Sequence, residues 1–97
     1  MARRKKNKVV TKKPEISEFE GWSIGDLAWF CLKTEATPHQ GEITNFYPKD
    51  KVAPAVSLND ITAGGHRVTL VKYIFETKKE AKASRPEYLK FWEDYKQ

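Results

Sequence analysis

Most of what chemistry needs is scarce in this chain. There is one cysteine, Cys31, so no intrachain disulfide can form and no Cys/His spacing for zinc exists. There are two histidines, His39 and His66, and both fall in expected loops or at strand edges. No G-x-x-x-x-G-K-[ST] or G-x-G-x-x-G run occurs; Gly64-Gly65 reads as a hairpin turn and not as a phosphate loop. The acids Glu42, Asp50 and Asp60 are scattered and show no obvious partner in the sequence. These absences argue against an enzyme, and no cofactor or metal is expected. No apolar run approaches the roughly 20 residues of a membrane span. The basic N-terminus is not followed by an apolar stretch, so it does not read as a secretory signal. A lone cysteine inside an apolar run fits an intracellular, reducing compartment, with Cys31 as a buried filler.

Acidic residues are missing from the first thirteen positions. Arg3, Arg4, Lys5, Lys6, Lys8, Lys12 and Lys13 lie there without a single Asp or Glu. The rest of the chain carries eleven basic and thirteen acidic side chains. The net +5 therefore belongs to an arm, and the remainder is slightly acidic. Like charges with almost no apolar content cannot form a core, so residues 1–14 are expected to be a disordered basic arm. Such an arm suits phosphate neutralisation on nucleic acid. It also suits a solubilising tail.

Apolar residues make up only 39% of the 97, so the three Trp, four Tyr and five Phe must supply much of a compact core. Gly25-Asp26 opens onto Leu27-Ala28-Trp29-Phe30-Cys31-Leu32, the way a strand begins after a sharp turn. Alternation puts Leu27, Trp29 and Cys31 on one face and Ala28, Phe30 and Leu32 on the other. Both faces are apolar, so the strand, expected over 27–33, is central or covered on its second side. A loop follows over 33–40. Further strands are expected over 42–47, 53–58 and 66–75, with turns at 48–51 and between Asn59-Asp60 and Gly64-Gly65. Ahead of them, Ile16, Phe19, Trp22 and Ile24 are anchors of an irregular lead-in, with one helical turn expected over 17–20.

The period then changes. Thr77-Lys78-Lys79-Glu80 and Ser84-Arg85-Pro86-Glu87 both have capping-box spacing. They predict a short helical turn, a break, and a second helix ending near Tyr95. Tyr88, Phe91, Trp92 and Tyr95 recur at i, i+3, i+4 and i+7, one aromatic face. That face either packs as core or serves as a docking surface or base-stacking platform.

Ile24-Gly25-Asp26-Leu27-Ala28-Trp29, followed by a loop with Pro38 and then Gly41-Glu42-Ile43, resembles the opening of the Tudor, PWWP and KOW group of SH3-like barrels. The resemblance covers about residues 22–75. It implies a binding surface at one open end, built from loops and strand-end aromatics. Trp22, Trp29, Phe46 and Tyr47 are the aromatics such a cage for a methylated ammonium would use. Lys33, Lys49, Lys51, Arg67 and Lys72 are the loop cations a nucleic-acid-binding barrel would use.

The expected architecture is mainly β: an SH3-like antiparallel barrel over 15–76, a C-terminal helical segment over 77–97 packed on it, and the arm. The expected function is non-enzymatic nucleic-acid binding of low sequence specificity, to DNA or RNA. The alternative is a protein-interaction module, an accessory or regulatory protein of a bacterium or virus. That module would dock a partner through the barrel end or the helix face, using Trp22, Tyr47, Tyr88, Phe91, Trp92 and Tyr95.

Overall fold

The structure, a computed structural model, describes residues 16–95. The seven cations of the arm and its expected disorder lie outside the described residues. Within them the order is β1 (Glu18–Phe19), β2 (Trp22–Ser23), β3 (Leu27–Phe30), β4 (His39–Tyr47), β5 (Ala55–Asp60), β6 (His66–Leu70), a 3-10 turn (Val71–Tyr73), β7 (Ile74–Phe75) and α1 (Lys78–Tyr95).

Five strands form one antiparallel sheet in the order β6-β5-β4-β3-β7. The two ends of that order are almost adjacent in sequence. From Leu70 to Ile74 the chain can reach about 14 Å. Four flat strand spacings would need about 19 Å. The sheet must curl to bring its edges together, and it forms a half-barrel.

The 3-10 turn is where the period-2 reading of 66–75 fails. Three residues per turn eclipse side chains at i and i+3. Val71 and Ile74 accordingly enter the cluster inside the curl, while Leu70 and Tyr73 enter the cluster outside it. The other expected strands are present with shifted bounds. β3 ends at Phe30, β4 begins at His39 and not at Glu42, and β5 extends through Asn59 and Asp60, which were expected in a turn. The expected helical turn at 17–20 is instead a hairpin, β1–β2. Its two-residue connection, Glu20 and Gly21, has φ of 55° and 85°. Positive φ at both positions is what a type I′ turn requires. The hairpin lays Ile16, Phe19, Trp22 and Ile24 across the mouth of the curl, against the inner core.

That inner core contains Ala28, Phe30, Leu32, Ile43, Phe46, Val56 and Leu58. Gly41 is fixed by close approach. A Cβ there would lie 3.0 Å from the Phe30 ring, from Leu58 Cβ and from the Asn59 carbonyl oxygen.

The second face of β3 is covered by α1, which accounts for two apolar faces on one strand. Cys31, Leu70, Tyr73, Ala81 and Tyr88 are buried there, with Trp29, Phe75, Leu89, Phe91 and Trp92 packed around them. The Cys31 thiol donates to the Ala81 carbonyl at 3.0 Å, and burial pushes its pKa up. Arg85 donates to the Leu32 and Lys33 carbonyls, so a cation ties the helix to the end of β3.

α1 is one helix and not two. The first capping box forms in full: Thr77 Oγ1 accepts from the Glu80 N–H at 3.1 Å, and Glu80 Oε1 accepts from the Thr77 N–H at 3.2 Å. The second does not. Ser84 Oγ donates back to the Ala81 carbonyl at 2.9 Å, and the helix runs through Pro86. Pro86 and Lys82, whose carbonyl loses its usual donor, are both on the exposed side, where water can replace that donor. No helix among the described residues is long and apolar enough to cross a membrane.

Candidate functional site

Antiparallel pairing sorts the loops. Loops 31–38 and 61–65 lie at one end of the sheet, and loop 48–54 lies at the other. The first end is held by four charged side chains that the sequence did not bring together. His39 Nδ1 lies 2.7 Å from Asp60 Oδ2, and its Nε2 lies 2.8 Å from Glu35 Oε1. Arg67 Nε donates to the same Asp60 oxygen at 3.1 Å, and the Ala63 N–H donates to Oδ1 at 3.0 Å. The Asp60 side chain is fully buried and His39 nearly so, whereas Glu35 and Arg67 are about half exposed.

Both ring nitrogens of His39 face carboxylates, so both bonds can be donated only by the imidazolium. Burial pushes the His39 pKa down. The hydrogen bonds to Asp60 and Glu35, with their charges, outweigh that, and the net shift is upward. Burial pushes Asp60 up, but its bonds from His39, Ala63 and Arg67 outweigh that, and the net shift is downward. With neither nitrogen free, His39 offers no lone pair to a proton or a metal. Among the described residues no three His, Cys, Asp or Glu side chains converge on a metal position. The array is a clamp on two loops. Gln40 adds to it: its carbonyl accepts from the Ile61 N–H at 2.8 Å, and its N–H donates to Thr62 Oγ1 at 2.9 Å.

The signal for this clamp was in the alternation. Ile43, Gly41 and His39 are successive buried positions of β4, and Val56, Leu58 and Asp60 are successive inner positions of β5. Extending each series by one inward step would have placed the imidazole beside the carboxylate.

The aromatic residues divide between core and surface. Phe46 is buried against Phe19, with ring centroids 5.9 Å apart. Trp22 packs on the inner core, and Trp29 on the helix-covered face. These two tryptophans therefore stand on opposite faces of the sheet, and the four aromatics of the expected cage do not converge. Tyr47 is exposed beside a hollow of about 450 Å³ that Ile16, Phe46, Pro48, Lys49 and Asp50 also line. Tyr88 is only 7% exposed and packs edge-on to Tyr73, so it belongs to the core.

The rest of the helix face is half buried and bracketed by lysines. Lys72 Nζ lies 4.1 Å from the Phe91 ring centre, and Lys33 Nζ lies 5.5 Å from that of Trp92. Phe91 and Trp92 touch edge-to-face at 5.2 Å, and Tyr95, 55% exposed, stacks parallel to Phe91 at 6.3 Å. This makes a ledge of three rings with a cation at each end. Acids stand close by: Glu87 and Asp94 line the same shallow hollow as Lys72 and Phe91, and Asp94 pairs with Lys90 at 3.5 Å.

The five loop cations fall into separate groups. Lys33 and Arg67 line one cleft at the seam between β6 and the chain after β3. Lys49 and Lys51 are exposed in loop 48–54, at the opposite end. Lys72 shares a hollow of about 390 Å³ with Glu20, Trp22, Pro54, Val71 and Ile74, and the Val71 N–H donates to the Pro54 carbonyl at 2.8 Å. Lys72 is thus near loop 48–54, whereas Arg67 lines the cleft with Lys33.

Comparison with protein-family models, with characterised proteins and with solved structures finds no match to this chain.

Proposed function

We propose that this chain is a small non-enzymatic protein that binds single-stranded nucleic acid with low sequence specificity, inside the cell. The observation that carries the reading is the ledge of Trp92, Phe91 and Tyr95 with Lys33 and Lys72 at its ends. Bases of any identity stack on aromatic rings, and phosphates of the same strand reach flanking cations. The described domain carries more acid than base, so the ledge orients a strand and the arm supplies most of the affinity. An SH3-like barrel suits this role. The support for that fold is the strand order, a meander whose last strand returns to the first after one 3-10 turn.

The test is fluorescence anisotropy with labelled single-stranded DNA, double-stranded DNA and RNA over a salt series. Full engagement of the seven arm cations gives a log–log salt slope of up to about −5 on single strands and about −6 on duplex. Replacing Arg3, Arg4, Lys5, Lys6, Lys8, Lys12 and Lys13 by Gln flattens that slope. Replacing Tyr95 by Ala weakens single-strand binding by a factor of about ten, the worth of one stacked base, and leaves duplex binding unchanged. No binding of any polymer near physiological salt would overturn the proposal.

The protein-interaction reading keeps one supporting observation. Tyr88 is core, which takes one of the four expected docking rings away from a partner. The uncovered edge of β6 remains.

A further inference from the structure

The two edges of the sheet are treated differently. β7 is two residues long and has α1 packed against it. β6 is five residues long, has neither proline nor bulge, and among the described residues pairs only with β5. Its outer main-chain groups face no strand among the described residues, and Val68 on it is 61% exposed. A free edge of this kind is a template for another strand.

Beside that edge lies a cleft of about 240 Å³, walled on the other side by the chain leaving β3 at Cys31 to Thr34. Register gives the direction of the β6 side chains. Arg67 pairs with Leu58 and Thr69 with Val56, both inner-core residues, so Arg67 and Thr69 share the inward face. Thr69 is only 6% exposed, and its hydroxyl has no hydrogen-bond partner among the described residues. A buried hydroxyl left unpaired costs free energy that a ligand could recover. Arg67 spends its Nε on Asp60, and its Nη nitrogens meet no acceptor among the described residues. Lys33 stands on the opposite wall.

We propose that this seam takes an extended peptide segment of a partner protein, added as a strand to β6, with an acidic side chain held between Arg67 and Lys33. Main-chain pairing gives the affinity and the carboxylate sets the register. Charge favours an acidic occupant, and the unpaired strand edge favours a peptide over a nucleic-acid backbone. The site is distinct from the aromatic ledge except at Lys33, so Arg67 variants test it alone and Lys72 variants test the ledge alone.

The experiment is selection of a random displayed peptide library on the full chain, followed by binding of the synthetic consensus peptide. Expected is an acidic residue flanked by alternating β-branched residues. Arg67→Gln and Lys33→Gln should each weaken that peptide by about tenfold, the worth of one charge-assisted hydrogen bond. Because Arg67→Gln also loosens Asp60, Lys33→Gln, at an exposed position, is the check that does not touch the fold. Thr69→Val should weaken the peptide without lowering the stability of the free chain, which a purely structural Thr69 would not do. Bound peptide should slow hydrogen exchange at alternate amides of 66–70. A consensus without an acidic residue, peptide affinity unmoved by both charge variants, or unchanged β6 exchange overturns the proposal. So does displacement of the peptide by single-stranded DNA that Arg67→Gln also weakens, which would assign the seam to the nucleic acid.

Discussion

The two ends of the half-barrel are built on opposite principles. At the end of loops 31–38 and 61–65, Glu35, His39, Asp60 and Arg67 spend their charges on one another, and the central pair is buried. At the end of loop 48–54, Lys49 and Lys51 stand exposed, and the loop is held by hydrogen bonds without an ion pair among the described residues: Asp50 N–H to the Tyr47 carbonyl at 3.3 Å, Val52 N–H to Asp50 Oδ2 at 3.1 Å and Val71 N–H to the Pro54 carbonyl at 2.8 Å. One end uses polar chemistry to hold structure, and the other leaves it facing solvent. A charged residue near a strand end is therefore no guide to function until its partners are known. Arg67 and Lys49 looked equivalent in the sequence and are not.

The largest effect should come from cutting the clamp at its centre. Asp60→Ala leaves the His39 imidazole, the Arg67 guanidinium and the Ala63 N–H without their acceptor. Breaking a buried pair from one side costs about 3–5 kcal/mol. Asp50→Ala at the opposite end removes one exposed capping bond and should cost about 1 kcal/mol or less. Urea denaturation of the two variants measures the difference directly. Equal losses would mean that the two ends are not built differently.

Gly41 sits on the clamped side, paired with Asp60 across β4 and β5. Gly41→Ala must push its methyl into Phe30, Leu58 and the Asn59 carbonyl, each at 3.0 Å. Two of these three neighbours, a backbone oxygen and a Cβ, are fixed by the main chain. Overpacking of this kind costs about 1–3 kcal/mol. The same measurement checks it, and a neutral result would show that the sheet can open there at little cost.

The clamp should also make stability depend on pH, by less than the removal of Asp60. His39 has a raised pKa in the folded chain, so its contribution is complete below the imidazole's unfolded value and fades as pH rises through the folded one. Asp60 has a lowered pKa, so its contribution is complete above the unfolded carboxylate value and fades as pH falls through the folded one. Stability from this end is greatest in the mildly acidic window between them. On the alkaline side Asp60 keeps Arg67 and the Ala63 N–H, so only part of the clamp is lost. The urea midpoint should fall from about pH 6 to about pH 9, and His39→Gln should remove most of that fall.

How much of this was readable follows from which interactions are local. The β3 run with two apolar faces implies a strand that is central or covered on its second side, and β3 is both; the Thr77–Glu80 spacing correctly placed a helix start. Ser84–Glu87 has the same spacing and caps nothing, because Ser84 lies three residues after the Ala81 carbonyl, within reach of its hydroxyl, and packing on Cys31 carries the helix through. The split of 66–75 was hidden because Leu70, Val71, Tyr73 and Ile74 fit two periods at once. The clamp joins residues 21 apart in sequence, His39 and Asp60, and only the register of β4 on β5 brings them together. The aromatic–lysine ledge likewise depends on Lys33 and Lys72 arriving from two loops at a helix the sequence placed but could not orient.

The smallest structural effect should accompany a measurable functional one. Lys49→Glu with Lys51→Glu changes two exposed side chains that make no ion pair among the described residues. Surface changes of this kind stay within about 0.5 kcal/mol. Both lysines lie at the same end as Lys72, so a strand running off the ledge past Lys72 would meet them next. Each phosphate that a lysine no longer neutralises takes about 0.7 off the single-strand salt slope. The double variant should therefore keep its urea midpoint and shed about 1.4 of slope, whereas Arg67→Gln should lower the midpoint and leave the slope alone. The reverse pattern would put the phosphate-binding cations at the clamped end and exchange the roles of the two ends.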